Sequence, residues 1–359
     1  LVTEGVRGDG GILLNSEGTR FMFNYIPEKF SSETADSKEE ASRWLEGDKE
    51  ARRPPELLTR DVVARAIKKE VEAGRGSPNG GAFLDIASRR PAEFIKKKLP
   101  SMYHQFKELA EIDITEEPME VGPTLHYFMG GIRVDSDTQQ TSVSGLFACG
   151  ECAGGMHGAN RLGGNSLSDL LVFGKLAGDG AISYIKNITE TLNCNMEDVS
   201  RIIKNATDIL NRNEGTNPYV VHEHLQNIMQ DHVGIVRTGE ELESGLKKLD
   251  EIKSDINKAH AHASAQYNPG WNEAIDLQNL IVTAEAVTRA AILREESRGA
   301  HTRLDFEGER EEGLGYNIVI KKSDKGMLAE KINRDNPPSE LSDIAHASLR
   351  ELEGENIGA

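Results

Sequence analysis

The spacing of apolar residues predicts a mixed first half for this chain. Strand, turn and strand are expected from Ile12 to Tyr25. A helix is expected from Arg60 to about Ala73, with Thr59 as its N-cap and Gly74 at its end. Another helical segment or pair covers Pro91 to Leu109.

Further along the chain, the same pattern predicts two strands and then a series of helices. Two apolar runs, 121–134 and 143–150, have the composition of buried strands, and a long helix should follow from Asn165 to about Ile188. From Met196 onward the spacing predicts four helices, and a strand follows Gly315. These elements indicate an α+β or α/β first part, a helical bundle domain and a small C-terminal segment.

Composition narrows the class of protein. The 359 residues, with 37% apolar side chains and 35 glycines, indicate a globular chain of about two domains. Its 42 basic and 59 acidic side chains give a net charge of −17, which repels nucleic acid and anionic membranes. Three cysteines are too few for a disulfide framework, so a cytoplasmic location is expected. No apolar run approaches the roughly 18 residues of a membrane span, so no direct membrane insertion is expected.

A glycine-dense turn carries the clearest chemical signal. Between Cys149 and Gly174 the chain reads CGECAGGMHGANRLGGNSLSDLLVFG, with Arg161 in the turn and a helix start near Asn165 or Ser166. Glycines let the backbone approach a ligand closely, and a helix start presents N–H groups with partial positive charge. Together with upstream cations, the turn predicts a site that holds a small dicarboxylate against a planar redox cofactor.

Other signals limit this hypothesis. The chain begins without methionine in an apolar segment and has no GxGxxG between a strand and a helix, so we expect it to be the tail of a longer protein. Cys149 and Cys152 have CxxC spacing without a thioredoxin-like βαβ context. Neither this pair nor His222 with His224 supplies four convergent ligands, so no metal site is predicted.

Six segments, in the same order, resemble the flavoprotein subunit of succinate dehydrogenase and fumarate reductase. They are TEGVRGDGG (3–11), RDVVARAI (60–67), PTLHYFMGGI (123–132), GLFACGE (145–151), HGANRLGGNSL (157–167) and ESRGAHTRLDF (296–306). The resemblance implies FAD as cofactor, with the N-terminal half of the flavin domain outside this chain. It also implies five segments: the end of a first flavin-domain segment (1–19), a capping domain (20–120), a second flavin-binding segment (121–190), a helical domain (191–300) and a C-terminal segment (301–359).

By this resemblance, Arg161 and His126 bind the substrate carboxylates, and the Thr3 hydroxyl assists them. The chemistry of these residues agrees, because a guanidinium is a planar fork that matches a carboxylate, while imidazole and hydroxyl groups can donate to the remaining oxygens. The alternative for Arg161 is a surface ion pair, but an arginine inside a glycine-walled turn has few side chains to pair with, which favours the ligand role. His126 alone would be interpreted as a satisfied core residue, and the flanking PTLHYFMGG favours the ligand role instead.

The resemblance makes Arg60 the residue that moves the proton while the flavin exchanges the hydride at N5, with Glu4 and Arg7 as relay partners. A cation in the first turn of a helix opposes the macrodipole by about 0.3–1 kcal/mol, which slightly favours loss of its proton. Without the motif, a helix-start arginine paired to a neighbouring carboxylate would be expected.

Flavin contacts are implied for Glu151, on the ribityl or phosphate side, and for the helix start at Asn165, Ser166 and Leu167. The positive end of that helix stabilises negative charge on a reduced flavin ring. Asn165 and Ser166 are also good helix caps, so a plain capped helix explains the same residues.

The resemblance therefore implies a flavoprotein oxidoreductase that interconverts succinate and fumarate and passes electrons through an iron–sulfur subunit to quinone. Membrane-anchor subunits of respiratory complex II would hold it at the cytoplasmic face of the inner membrane, and the chain alone should be inactive. The alternatives are another flavin enzyme of the superfamily, such as L-aspartate oxidase, and an inactive fragment or assembly module. Arg298, His301 and Arg303 could line the site or buttress it.

Overall fold

The computed structural model describes residues 2–189, 193–262 and 264–347, and the chain divides into two compact units, 1–186 and 187–359. The helices of the first unit are α1 (Gly5–Gly8), α2 (Lys38–Leu45), α3 (Arg60–Glu72), α4 (Ala92–Lys98), α5 (Pro100–Leu109) and α6 (Asn165–Lys186). Its strands are β1 (Ile12–Leu14), β2 (Ala82–Asp85) and β3 (Met119–Val121). Short 3-10 helices cover Phe21–Tyr25, Glu28–Phe30, Pro55–Leu57 and Gly150–Cys152.

The core of the first unit lies between α3 and an antiparallel sheet in the order β1-β2-β3. Leu84 of β2 stands opposite Leu13 on one side and Met119 on the other, and all three are buried. The inner side of α3 is buried as its spacing predicts, and Gly74 ends the helix with a φ of 75°. Thr59 is the N-cap residue of α3, as predicted, but its side chain makes no cap hydrogen bond.

Three strand predictions were wrong. The segment that ends at Tyr25 is a 3-10 helix, and its consecutive residues Phe21 and Met22 are both fully buried. A pleated strand would instead place consecutive side chains on opposite faces. Between β3 and α6 the described residues pair only through isolated bridges, and Leu125 and Val143 are 73% and 59% exposed. The apolar composition of these two runs does not by itself produce a β-sheet, because the hydrogen bonds of a sheet also require a neighbouring strand.

The second unit is a helical bundle with a hairpin. Its elements are α7 (Met196–Asn211), α8 (Pro218–Val233), α9 (Gly239–Asn257), α10 (Pro269–Leu293), β4 (Tyr316–Ser323), β5 (Gly326–Asn333) and α11 (Ser339–His346), with a 3-10 helix at Glu311–Gly315. Leu225, Leu249 and Leu277 bring α8, α9 and α10 together in one core, as the helical spacing predicts. Helix α9 begins with a capping box in which Thr238 and Glu241 exchange hydrogen bonds. Among the helices described, none is long and apolar enough to cross a membrane.

Candidate active site

The start of the first unit brings Glu4 and Arg60 into contact. Glu4 precedes α1 and Arg60 is the first residue of α3, so two helix starts present these side chains to each other. Glu4 Oε2 accepts from Arg60 Nε at 3.3 Å and from Nη2 at 3.2 Å. The side chains are 47% and 51% exposed, so the pair contributes at most about 1 kcal/mol to stability and does not lock the guanidinium in place.

Arg7 lies between this pair and the core. Its Nη1 donates to the Glu56 carbonyl oxygen at 2.6 Å. The Glu56 carboxylate is itself buried and receives two hydrogen bonds of 2.7 Å from Arg20. Burial lowers the pKa of Arg7, an effect that the charge of Glu4 opposes and that of Arg60 reinforces. Arg7 is therefore a fixed cation whose charge acts on both Glu4 and Arg60. Glu56, whose carbonyl oxygen holds the Arg7 side chain, was missed by the sequence analysis.

Thr3 is exposed, and its hydroxyl oxygen accepts from the Gly5 N–H at 3.3 Å. Because the oxygen accepts this bond, the hydroxyl hydrogen stays available for another acceptor. Thr3 therefore presents a donor one residue from Glu4.

A second group of side chains surrounds Arg161. Its guanidinium carbon lies 4.5 Å from the centroid of the Tyr127 ring, and its Nη1 donates to the Leu162 carbonyl at 3.0 Å. The Nε atom is buried and has no hydrogen-bond partner among the described residues. Stacking on the ring fixes the plane of the guanidinium and leaves the Nε edge for an acceptor.

Tyr127 is in turn held by His157 and Asp169, which the sequence analysis also missed. The Tyr127 hydroxyl is 3.2 Å from His157 Nε2 and 3.4 Å from Asp169 Oδ2, and the two rings meet edge to face. Burial raises the pKa of Tyr127, and the Asp169 charge raises it further, so the hydroxyl stays neutral. Asp169 Oδ1 is buried and also lacks a partner within the described residues.

The loop that carries His126 is fixed to the glycine-dense turn. Ile132 N–H donates to the Cys152 carbonyl at 2.8 Å, and a Cβ on Gly131 would lie 2.5 Å from that same oxygen. Glu151 Oε1 accepts from the Phe128 N–H at 2.9 Å. His126 itself is exposed and has no hydrogen bond to the described residues, so its imidazole is free to meet a ligand.

The glycine turn and the start of α6 fit a flavin. Helix α6 begins at Asn165, as predicted, and its first residues Asn165 and Leu167 are exposed. Gly155 and Gly164 have φ values of 108° and 83°, and a Cβ on either would meet nothing within 4 Å. Open space beside backbone N–H groups suits a planar ring that carries negative charge when reduced.

The contacts therefore form two groups. One joins Glu4, Arg7 and Arg60, and the other joins Tyr127 and Arg161 to their partners. Within the described residues, no hydrogen bond or ion pair connects the two groups, so their convergence on one substrate stays a prediction.

In the second unit, the SRGAHTR side chains are held within that unit. Arg298 donates to Glu296 at 3.0 Å, and Arg303, 3% exposed, donates to Asp305 at 2.7 Å. His301 is hydrogen bonded through both ring nitrogens. Whether these residues line or buttress the substrate site therefore stays a prediction.

Comparison with known proteins decides the family. A model described as FAD binding domain matches residues 1–167, and one described as Fumarate reductase flavoprotein C-term matches residues 222–336. The succinate dehydrogenase flavoprotein subunit of Coxiella burnetii is 33% identical over 318 residues, 85% of this chain and 50% of that protein. The chain belongs to the succinate dehydrogenase/fumarate reductase flavoprotein family. The resemblance inferred from the six segments is confirmed, and so is FAD as the cofactor of the family's first domain.

Other members of the family agree in sequence and in fold. One subunit of the fumarate reductase (CoM/CoB) from Methanothermobacter marburgensis is 41% identical over 328 residues, 91% of this chain and 54% of that protein. The solved structure of Mycobacterium smegmatis Sdh1 in complex with UQ1 superposes with a TM-score of 0.78 at 45% identity, covering 98% of this chain and 55% of that one. The chain spans about half the length of the flavoprotein relatives that it matches.

Proposed function

We propose that the protein containing this chain interconverts succinate and fumarate. The observation that supports this most directly is the contact of Glu4 with Arg60, next to the half-buried cation Arg7. A guanidinium, a carboxylate and a second guanidinium in sequence can carry a proton between solvent and a substrate carbon by charge-assisted hydrogen bonds.

Substrate binding is assigned to Arg161, His126 and Thr3. The unpartnered Nε edge of Arg161 faces one carboxylate, while the His126 imidazole and the Thr3 hydroxyl donate to the remaining oxygens. Tyr127 orients the Arg161 guanidinium through the ring contact. Fixing both carboxylates in this way holds the two reacting carbons in place between the cofactor and the proton donor.

In the direction of fumarate reduction, Arg60 gives a proton to one substrate carbon and Glu4 returns a proton to Arg60. When bound beside Asn165, Ser166 and Leu167, the flavin would supply the hydride for the other carbon. Arg7 acts as the second relay partner by stabilising the Glu4 carboxylate between turnovers, and the half-exposed Glu4 exchanges its proton with solvent. In succinate oxidation the same residues move the proton in the opposite direction.

Residues Asn165, Ser166 and Leu167 would hold the flavin through the N-terminal end of α6, with Glu151 on the ribityl or phosphate side. Glu151 also fixes the loop that carries His126, through its hydrogen bond to Phe128. A change at Glu151 should therefore affect both the cofactor and the substrate. The division into flavin, capping, helical and C-terminal segments at 1–19, 20–120, 121–190, 191–300 and 301–359 is part of the same proposal.

Electrons would pass first to an iron–sulfur subunit, then to quinone, with membrane-anchor subunits holding the protein at the cytoplasmic face of the inner membrane. The names of the relatives support two kinds of electron partner. The Mycobacterium smegmatis structure is a complex with UQ1, whereas the Methanothermobacter marburgensis protein is named for CoM/CoB, so CoM and CoB are the second candidate.

Substrate profiling of the full-length gene product, with FAD bound, tests the proposed function. Fumarate reduction by a reduced dye and succinate oxidation by an oxidised one are expected, with no oxidation of L-aspartate. Turnover of L-aspartate without turnover of succinate would assign another activity of the superfamily. A purified full-length protein with no flavin absorbance would instead support an assembly module.

A further inference from the structure

A pair of facing imidazoles lies in the loop between α9 and α10, outside the candidate active site. The Nε2 atoms of His260 and His262 are 2.8 Å apart, with ring centroids at 4.4 Å and ring planes at 88°. His262 is exposed and His260 is half-buried. Both side chains therefore have surface that solvent reaches.

The backbone around the pair fixes this arrangement. Ala259 forms a parallel bridge with Thr216, and the Ala261 N–H donates to the Ile209 carbonyl at 3.3 Å. Ala261 is only 5% exposed. Because alternate side chains of an extended segment point to the same side, burial of Ala261 directs both neighbouring histidines outwards together.

Hydrogen bonding also selects the tautomer of His260. Its Nδ1 lies 3.3 Å from the Thr216 carbonyl oxygen, which can only accept, so Nδ1 carries the ring proton and Nε2 presents a lone pair. His262 then donates its Nε2–H across the 2.8 Å contact. Metal-binding histidines are typically held through the other ring nitrogen in this way, by donation to a backbone carbonyl.

The separation of the two nitrogens points to a class of metal. With metal–nitrogen bonds of about 2.0–2.1 Å, two ligands at 90° lie about 2.8–3.0 Å apart, whereas tetrahedral ligands lie about 3.3–3.4 Å apart. The observed 2.8 Å is the length of the present N–H···N hydrogen bond, and it is also the separation that the 90° arrangement requires, which is typical of Cu²⁺ and Ni²⁺ with nitrogen and oxygen ligands. We propose that His260 and His262 form a two-imidazole site for Ni²⁺ or Cu²⁺, completed by water.

Binding exchanges one hydrogen bond for two metal–nitrogen bonds. The proton on His262 Nε2 leaves, and Nδ1 of the same ring takes one from water, so both imidazoles remain neutral. Within the described residues, no group of three or more His, Cys, Asp or Glu side chains could hold a metal. Two protein ligands from one short loop make this an open site, with coordination positions left for water or another small ligand.

The chain offers a matched control with the same His-x-His spacing. His222 and His224 lie on α8, where residues two apart point about 200° away from each other. His222 Nδ1 also contacts the Glu273 carboxylate. This second pair cannot bind one ion through both rings.

Calorimetric titration of the 359-residue chain with Ni²⁺ tests the proposal. One saturable site is expected, and His262→Gln or His260→Gln should weaken it at least tenfold, which is about 1.4 kcal/mol. His224→Gln should bind as the unsubstituted chain does. Circular dichroism of each variant confirms that it folds.

Electron paramagnetic resonance with less than one equivalent of Cu²⁺ gives the ligand count directly. Coupling to two nitrogens is expected, falling to one in His262→Gln. Equal Ni²⁺ affinity in the unsubstituted chain and both loop variants would overturn the proposal. A loss in His224→Gln as large as in the loop variants, or tighter binding of Zn²⁺ than of Ni²⁺, would also contradict it.

Discussion

His301 should make the stability of the second unit depend on pH. Its Nε2–H donates to the Arg294 carbonyl at 2.9 Å, and its Nδ1 accepts from Arg237 Nη1 at 2.8 Å. Burial lowers the pKa of His301 from 6.5 to about 4, and the charge of Arg237 acts in the same direction. The histidine is therefore neutral in the folded unit at pH values where it is already charged in the unfolded chain.

The magnitude follows from the two pKa values. Because the folded pKa is the lower one, the unfolded chain binds the proton first as the pH falls. The stability contribution is complete above pH 6.5 and is lost as the pH falls towards about 4. Between pH 7.5 and pH 5 the loss for His301 is about 2 kcal/mol, since one unit of pKa difference corresponds to about 1.4 kcal/mol.

Urea unfolding followed by tryptophan fluorescence measures this effect. The two tryptophans are Trp44 in the first unit and Trp271 in the second, so a Trp44→Phe background reports the second unit alone. The His301→Gln variant can still hydrogen bond but does not titrate, so it should lose about 2 kcal/mol less than the parent between pH 7.5 and pH 5. The same pH dependence in both proteins would refute the reasoning.

Three further predictions concern the first unit. Glu56→Ala leaves Arg20 buried and unpaired, so urea unfolding should show a loss of about 3–5 kcal/mol; a loss below 1 kcal/mol would contradict the assigned burial. In the full-length enzyme, Tyr127→Leu removes a guanidinium–ring contact of about 0.5–2 kcal/mol and should raise the KM for fumarate about two- to thirtyfold, whereas Tyr127→Phe should keep it. Gly131→Ala places a Cβ 2.5 Å from the Cys152 carbonyl, so flavin absorbance after gel filtration should fall, and full retention would argue against that contact.

Periodicity predicted the helices because each buries one apolar side within its own unit. The bounds of α3 follow directly from that spacing and from Gly74 at its end. Helix α6 is an exception, because apolar residues on it are exposed. Leu167 and Leu171 are 69% and 78% exposed, so its apolar pattern predicts a burial that the described residues do not supply.

The candidate site was predictable only in part. Glu4 and Arg60 were paired through the family resemblance, and the structure brings them into contact. Tyr127, His157 and Asp169 could not be grouped from the sequence, because they are 30 and 42 positions apart and only the fold joins them. All three residues lie inside the quoted segments. Tyr127 follows His126, His157 lies among the glycines of the turn, and Asp169 lies beside leucines at the start of α6.

The central claim is that Arg60 exchanges the proton in succinate–fumarate interconversion, and fumarate reduction by the full-length enzyme carrying Arg60→Lys tests it most directly. Lysine keeps the charge but replaces the guanidinium fork with a single ammonium group that cannot reproduce its geometry. We predict a fall in kcat of about 10²–10⁴, the usual contribution of a positioned proton donor, with the flavin spectrum unchanged. A kcat within threefold of the unsubstituted enzyme, at full flavin content, would contradict the account.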